Sequence, residues 1–288
     1  MTALLLVSLG VIAWRGGALD SLIRARRASV VLDAGDHSTK RNVSVSKGGA
    51  TPALSPATRD LRGDLLAVQR LIRLGYPLYC GGTNGRFVAL TFDDGPGAYT
   101  LKTLDILRHA GARATFFLVG RNLAWYPGRA QQEASNNAVG DHTWTHAYLT
   151  SLPLAQQERE IDDTRRAVAE ATQGQVVLFR PPGAFHNAGI DNLVSSYGML
   201  EVLWSADSLD SQGAHAPEVL AAATAALKPG AIILMHENRG TTLQILPQLL
   251  RVIREQGFQT VTVPELFRLD PPTAEQMRKN AAVRGCAG

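Results

Sequence analysis

The chain has 288 residues, 45% hydrophobic and 19% charged, a balance that excludes general disorder and supplies ample apolar material for a core. The formal charge is +4 and the pI about 9.3. Beyond Arg24 to Arg27 there is no concentrated basic run and aromatics are few, so nucleic-acid binding is set aside; a mildly basic surface suits an anionic envelope polymer as well.

The first element is the apolar run Met1 to Trp14, followed by Arg15, Arg24, Arg26 and Arg27. It is shorter than the roughly 20 residues that span a bilayer and close to the apolar core of a signal peptide. Residues 1–27 are therefore expected to export the chain or anchor it to a membrane, which places the protein at the cell envelope or in the medium. Residues 28–56 are rich in Ser, Thr, Ala, Gly and charge and read as a tether. Leu61, Leu65, Val68, Leu71 and Ile72 recur at helical spacing, so 28–79 is a linker and leading helix and the main domain runs over 80–288. Only two cysteines occur, Cys80 and Cys286, near the two ends of that domain. In an exported chain a disulfide between them would stabilise by roughly 5 kcal/mol at best.

From Phe87 onward strands and helices alternate. The strand candidates are 87–92, 114–119, 137–141, 176–180, 199–204, 231–235 and 258–263. Thr100 reads as the cap of a helix with Leu101, Leu104 and Leu107 on one face, ended by Gly111. Leu154, Ile161 and Val168 line a longer helix with Asp162 and Arg166 paired on its surface. Helices over 187–198 and 216–228 follow. Pro247 should open or kink a last one that carries Leu246, Leu249, Leu250 and Ile253. This order predicts a parallel α/β domain, closed or nearly closed into a (β/α) barrel of about seven strands; an open doubly wound sheet is the other arrangement it allows. There is no Gly-x-Gly-x-x-Gly after a strand and no phosphate loop, so a nucleotide cofactor has no support.

The strand ends carry the chemistry. The run Phe87 to Phe92 stops at Asp93-Asp94-Gly95-Pro96, where two adjacent acids repel unless they share a proton or a cation. The third strand leads into Asp141-His142-Thr143-Trp144-Thr145-His146. Two imidazoles plus one carboxylate make the ligand count of a catalytic zinc site with an open position for water. The fourth strand ends in Arg180-Pro181-Pro182-Gly183, whose arginine can hold a carboxylate. Asp207 and Asp210 follow the fifth strand, and His236 follows the sixth. Singly, each is ordinary turn polarity. Together, on one rim of a parallel sheet, they are a candidate active site.

These five segments, Thr91 to Pro96, His142 to His146, Arg180 to Gly183, Asp207 to Asp210 and Leu234 to His236, resemble in order the motifs of the polysaccharide deacetylases, family four of the carbohydrate esterases. The resemblance covers roughly residues 80 to 268 and implies a distorted (β/α) barrel. It implies that Asp94, His142 and His146 bind a divalent metal, usually zinc, with cobalt or manganese as the others. It further implies that Asp93 is the general base positioned by Arg180, and that Asp210 sets the charge of His236, the general acid. A backbone N–H near Gly183 would hold the oxyanion, and Leu234 would line the pocket for an acetyl methyl. The implied activity is N-deacetylation of an N-acetylglucosamine polymer such as peptidoglycan or chitin. An O-acetyl esterase on xylan and a non-catalytic glycan-binding module on the same fold are the competing readings.

Three positions depart from the family pattern. Ser211 stands where a tryptophan is usual, Gly183 where an aromatic is common, and Asp141 where asparagine is usual, adding a negative charge beside the histidines.

Overall fold

The computed structural model describes residues 60–286. The expected export segment and the tether over 28–56 lie outside the described residues. Seven strands run in one sheet: β1 (Phe87–Gly95), β2 (Thr115–Leu118), β3 (Ala138–Asp141), β4 (Leu178–Phe179), β5 (Leu200–Glu201), β6 (Ala206–Asp207) and β7 (Ile232–His236), in the order β5-β4-β3-β2-β1-β7-β6. A further strand, β8 (Gln259–Thr260), pairs with the start of β1, and every pairing is parallel. The seven-strand path is the curled α/β half-barrel that the order of elements predicts.

Its two edge strands are neighbours in sequence. β5 and β6 are joined by residues 202–205 alone, with no helix between them, so at most roughly 18 Å of chain separates the two edges. This short join forces the sheet to curl. The Leu203 N–H donates to the Leu78 carbonyl and the Ser205 N–H to the Ile232 carbonyl, so the joining chain is itself hydrogen-bonded across the gap. The strand expected over 199–204 is shortened to β5, and β6 is a further strand beyond the expected range.

Helices cover the outside: α1 (Leu61–Ile72), α2 (Thr100–His109), α3 (Asn122–Trp125), α4 (Arg129–Ala134), α5 (Leu154–Thr172), α6 (Ala188–Ser196), α7 (Ala216–Ala225), α8 (Gly240–Glu255), α9 (Val263–Leu269) and α10 (Ala274–Val283). Strand periodicity sorts β1 cleanly. Val88, Leu90 and Phe92 face the helices, Phe92 stacking on Phe116 at 5.2 Å between ring centroids. Ala89 faces the inside of the curl with Phe117, Leu178 and Ile232. Val68 and Leu71 of α1 join that inner cluster with Leu266 and Phe267 of α9, so the leading helix packs on the barrel core. Full burial of each such side chain stabilises by about 1.5–3 kcal/mol.

Several local expectations are corrected. Thr100 is the first helical residue of α2 and the cap is Tyr99; the Thr100 hydroxyl instead accepts from the Gly97 N–H and donates to Glu237. Leu101 and Leu154 are exposed, so the buried stripes of α2 and α5 run through Leu107 and through Ile161 and Val168. Pro247 sits inside α8, which begins at Gly240, and leaves the Leu243 carbonyl without its intrahelical donor. Asp162 and Arg166 do pair, at 3.2 Å. Cys80 and Cys286 are joined by a disulfide with 6.1 Å between their Cα atoms, which ties the C-terminal end beyond α10 to the segment before β1.

Candidate active site

In a regular strand Asp93 and Asp94 would point to opposite faces. β1 avoids this with a bulge: Phe92 pairs with Phe116, but Gly95 pairs with Leu118, so β1 carries one extra residue over that step. Asp94 takes the left-handed conformation there (φ 70°), which re-aims its carboxylate. The strand thus continues to Gly95, beyond the boundary expected at Phe92, and delivers both acids to the rim.

Asp93 lies on the inner face with Thr91 and is almost fully buried. Arg180, leaving β4, is completely buried and spends its donors on fixed groups. Nη1 donates to Asp93 Oδ1 at 2.7 Å and to Thr91 Oγ1 at 2.8 Å, Nε to the Val202 carbonyl at 2.9 Å, and Nη2 to the Leu203 carbonyl at 3.0 Å. Its guanidinium also lies 4.1 Å from the centre of the Phe117 ring. Burial pushes the Asp93 carboxyl above its ordinary range, and the charge and hydrogen bond of Arg180 oppose this without cancelling it.

Asp94, His142 and His146 bring one donor atom each within 4.8 Å of one another. Asp94 Oδ1 is 3.2 Å from His146 Nε2 and 3.8 Å from His142 Nε2. Ligands around a tetrahedral zinc stand about 3.3 Å apart, so the three donors fit a divalent ion between them. His142 Nδ1 donates to the Arg180 carbonyl at 2.7 Å, which fixes the tautomer and turns a bare Nε2 towards Asp94. Burial pushes the His142 imidazole down to about 3, with Asp94 opposing and His146 adding to the shift, so it is neutral at pH 7 as a ligand must be. Thr143 and His146 both have positive φ, which lets the loop double back to bring the second imidazole round.

On the other flank of β1, Asp93 and His236 are register partners. His236 Nδ1 donates to Asp210 Oδ1 at 2.7 Å, and Asp210 Oδ2 accepts the His236 N–H at 2.7 Å and the Thr242 hydroxyl. Burial works against the charged imidazole, yet the Asp210 hydrogen bond and the charge of Asp93 hold the His236 pKa above its ordinary value. Asp210 itself is held below its ordinary range, because the hydrogen bonds from His236 and Thr242 outweigh its burial. Asp207, the other acid of that segment, accepts from the Leu209 N–H and the Gln212 amide and only shapes the turn.

Asp141, beside the histidines, is fully buried, with Oδ1 accepting the Thr143 N–H at 2.8 Å and Oδ2 without a partner. Burial pushes its carboxyl well up, and the Thr143 hydrogen bond opposes this without cancelling it. Gly183 has φ 63°, and a Cβ there would stand 2.9 Å from the Phe185 ring and 3.1 Å from Tyr148. These two exposed rings pack edge to face at 4.8 Å and fill the space an aromatic at 183 would take. Leu234 lies on β7 opposite Thr91, with a small exposed edge.

Two contributors carry no sequence signal. The Asn238 amide donates to Asp94 Oδ2 at 3.0 Å, and the Asn122 amide donates to the Asp94 carbonyl at 2.9 Å. Behind the rim, Glu133 and Glu237 are buried together, and burial first and then their mutual charge push the Glu133 carboxyl well up.

A parallel α/β half-barrel that gathers two imidazoles and a carboxylate at its strand ends, flanked by an arginine-held acid and a carboxylate-held histidine, defines a hydrolase of the barrel class. Comparison with known proteins makes this particular. Residues 81–202 match the family described as polysaccharide deacetylase. A peptidoglycan-N-acetylglucosamine deacetylase from Bacillus cereus is 31% identical over 211 residues, 71% of this chain and 99% of its own length. A bifunctional xylanase/xylan deacetylase from Cellvibrio japonicus is 33% identical over 180 residues, 62% of this chain and 27% of its own. Among solved structures, a family-four carbohydrate esterase pseudoenzyme from Bacillus anthracis superposes with a TM-score of 0.63 at 28% identity, over 66% of this chain and 68% of that one. The chain belongs to the polysaccharide deacetylase family.

Proposed function

We propose that this protein is a divalent-metal-dependent hydrolase that removes N-acetyl groups from N-acetylglucosamine units of a cell-envelope polysaccharide of the peptidoglycan or chitin type. The observation that carries the reading is the convergence of Asp94, His142 and His146 beside Asp93 and His236, each held by its own partner. Zinc is the ion this donor set suits best, with cobalt and manganese next. When bound, such an ion supplies Lewis acidity towards a water and a carbonyl oxygen.

The chain's own residues do the rest. Asp93 Oδ2 lies 3.6 Å from His142 Nε2, on the side of the three donors, and takes the proton from the attacking water. Arg180 keeps Oδ1 from swinging away. A backbone N–H at Gly183 would steady the developing oxyanion, and Leu234 would receive the acetyl methyl. The amide nitrogen leaves only once protonated; His236, charged through Asp210, gives it that proton from Nε2. Water and the amide become acetate and a free amine. Tyr148 and Phe185 form an aromatic edge against which a sugar face can stack.

The place of action we propose is the cell envelope, from the apolar run and basic cluster within 1–27. An O-acetyl esterase on xylan uses the same groups, and the similarity to the Cellvibrio japonicus protein favours it as the second reading. A pure glycan binder has no use for Asp93, Arg180 and His236 together.

Acetate release measured side by side on peptidoglycan, chitin oligomers and acetylxylan, with zinc and with chelator, tests the proposal. The expected result is release from the N-acetylglucosamine polymers, abolished by chelator and restored by zinc. Release from acetylxylan alone would give the esterase, and zinc binding without release would give the binder.

A further inference from the structure

A second cluster of metal-ligand side chains lies away from the five motifs. His186 follows the loop after β4, Asp191 sits in the first turn of α6, and Glu201 ends β5. The fold drives them together. β5 pairs with β4 through Phe179 and Glu201, the Leu78 N–H anchors the Glu201 carbonyl, and Asn187 caps α6 with bonds to the Gly189 and Ile190 N–H groups. His186 Nδ1 ends 2.9 Å from Asp191 Oδ1 and 3.3 Å from Glu201 Oε1, and the three donor atoms lie within 4.8 Å of one another. The corresponding separations in the Asp94 cluster are 3.2 and 3.8 Å.

Glu201 supplies the independent observation. It is only 5% exposed, and no donor among the described residues satisfies its buried carboxylate oxygens: its neighbours are His186 Nδ1, 3.3 Å from Oε1 but already bonded to Asp191, and the Asp191 carboxyl itself. A carboxylate in that position costs several kcal/mol unless a proton or a cation joins it. Among the described residues no lysine or arginine makes an ion pair with Asp191 or Glu201; His186 alone does. We propose that His186, Asp191 and Glu201 form a second divalent-cation site, one imidazole nitrogen and two carboxylates, that takes a zinc-, cobalt- or manganese-class ion. The mixed nitrogen and oxygen donors select against calcium, which takes six to eight oxygens, and against magnesium, which keeps its waters.

An ion there would pin the loop that carries Gly183 and Phe185 to β5. The chain just beyond Glu201 offers the Val202 and Leu203 carbonyls that hold Arg180. The site is therefore a positioning clamp for the rim, and its occupancy does not depend on any turnover at the Asp94 cluster.

The test uses the full chain, stripped with chelator, titrated with zinc alone and then with manganese alone, and freed of loose metal by gel filtration before elemental analysis. Wild type should hold one more equivalent than Glu201→Gln, and His186→Ala should lose the same equivalent. In a His142→Ala background zinc should still raise the melting temperature, and the rise should vanish when Glu201→Gln is added. Should Glu201→Gln fail to fold, His186→Ala, a change at a partly exposed side chain, decides the matter. Equal metal content in wild type, Glu201→Gln and His186→Ala would overturn the proposal and leave a shared proton as what joins the two acids. If His142→Ala binds as much metal as wild type while Glu201→Gln loses one equivalent, this site stands and the assignment of the Asp94 cluster falls.

Discussion

Arg180→Met is the sharpest perturbation of the site. Methionine fills much of the arginine stem's volume but removes the hydrogen bonds to Asp93, Thr91, Val202 and Leu203 and the only cation that Asp93 pairs with directly among the described residues, His142 and the other imidazoles apart. Breaking a buried ion pair from one side costs about 3–5 kcal/mol, because the remaining charge has lost its partner. Each of the carbonyls left behind adds a share of the roughly 1–3 kcal/mol penalty for an unsatisfied buried group. We therefore expect urea unfolding to show a loss of at least about 3 kcal/mol at pH 7. Adding Asp93→Asn should recover part of it, since a neutral amide no longer demands a cation; the cycle should give a coupling of about 2 kcal/mol, within the range for contacting residues. The loss should shrink at acid pH. With the arginine gone, burial is opposed only by the charges of His236 and His146, so the Asp93 pKa rises further and it protonates earlier as pH falls. A single mutant within 1 kcal/mol of wild type at pH 7, or a cycle with no coupling, would refute the view that this pair is the electrostatic centre of the barrel.

Other expectations follow from the same geometry. Asp93→Asn should keep its metal but lose turnover by at least about 100-fold, the scale of general-base loss, and acetate release at saturating zinc measures it. Asp210→Asn removes the main support of the His236 charge; since His236 donates its proton only below its own pKa, the alkaline limb of the rate profile should move to lower pH, and an unmoved limb would assign the acid elsewhere. Glu133 has its folded pKa raised, so its contribution to stability is full below the ordinary carboxyl range and is lost as pH rises through the raised value. Glu133→Gln should thus melt progressively higher than wild type as pH goes from 5 to 8, and a constant difference would count against the buried acid pair. Reduction of Cys80–Cys286, which closes a separation of 206 residues, should cost up to roughly 5 kcal/mol on the chain-entropy account, read as a fall in the urea midpoint with reductant.

Much of this architecture is legible in the sequence because the buried strands are short unbroken apolar runs with chemistry at their ends: Phe87 to Phe92 before Asp93, and Ile232 to Met235 before His236. Parallel pairing then places those ends on one rim. What escaped depends on tertiary context. β6 is two residues long and has no helix before it, so no periodicity marks it. The bulge in β1 and the left-handed Asp94, Thr143 and His146 are invisible because none of these is glycine; the surrounding fold imposes the conformation. The full burial of Asp141, which pushes its carboxyl up, is not revealed by the side-chain type alone. Leu101 and Leu154 have the right spacing for a buried stripe but sit at helix starts where nothing covers them. Asn238 follows His236 by two positions, yet only the folded loop shows that it steadies Asp94.

The most direct test is a crystal of the zinc-soaked protein measured on both sides of the zinc absorption edge. The account predicts an anomalous peak about 2.0–2.2 Å from a carboxylate oxygen of Asp94 and from Nε2 of both His142 and His146, with Asp93 beside it and still bound to Arg180. A fully folded crystal with no anomalous density among those three side chains, in zinc well above the concentration that restores activity, would contradict it.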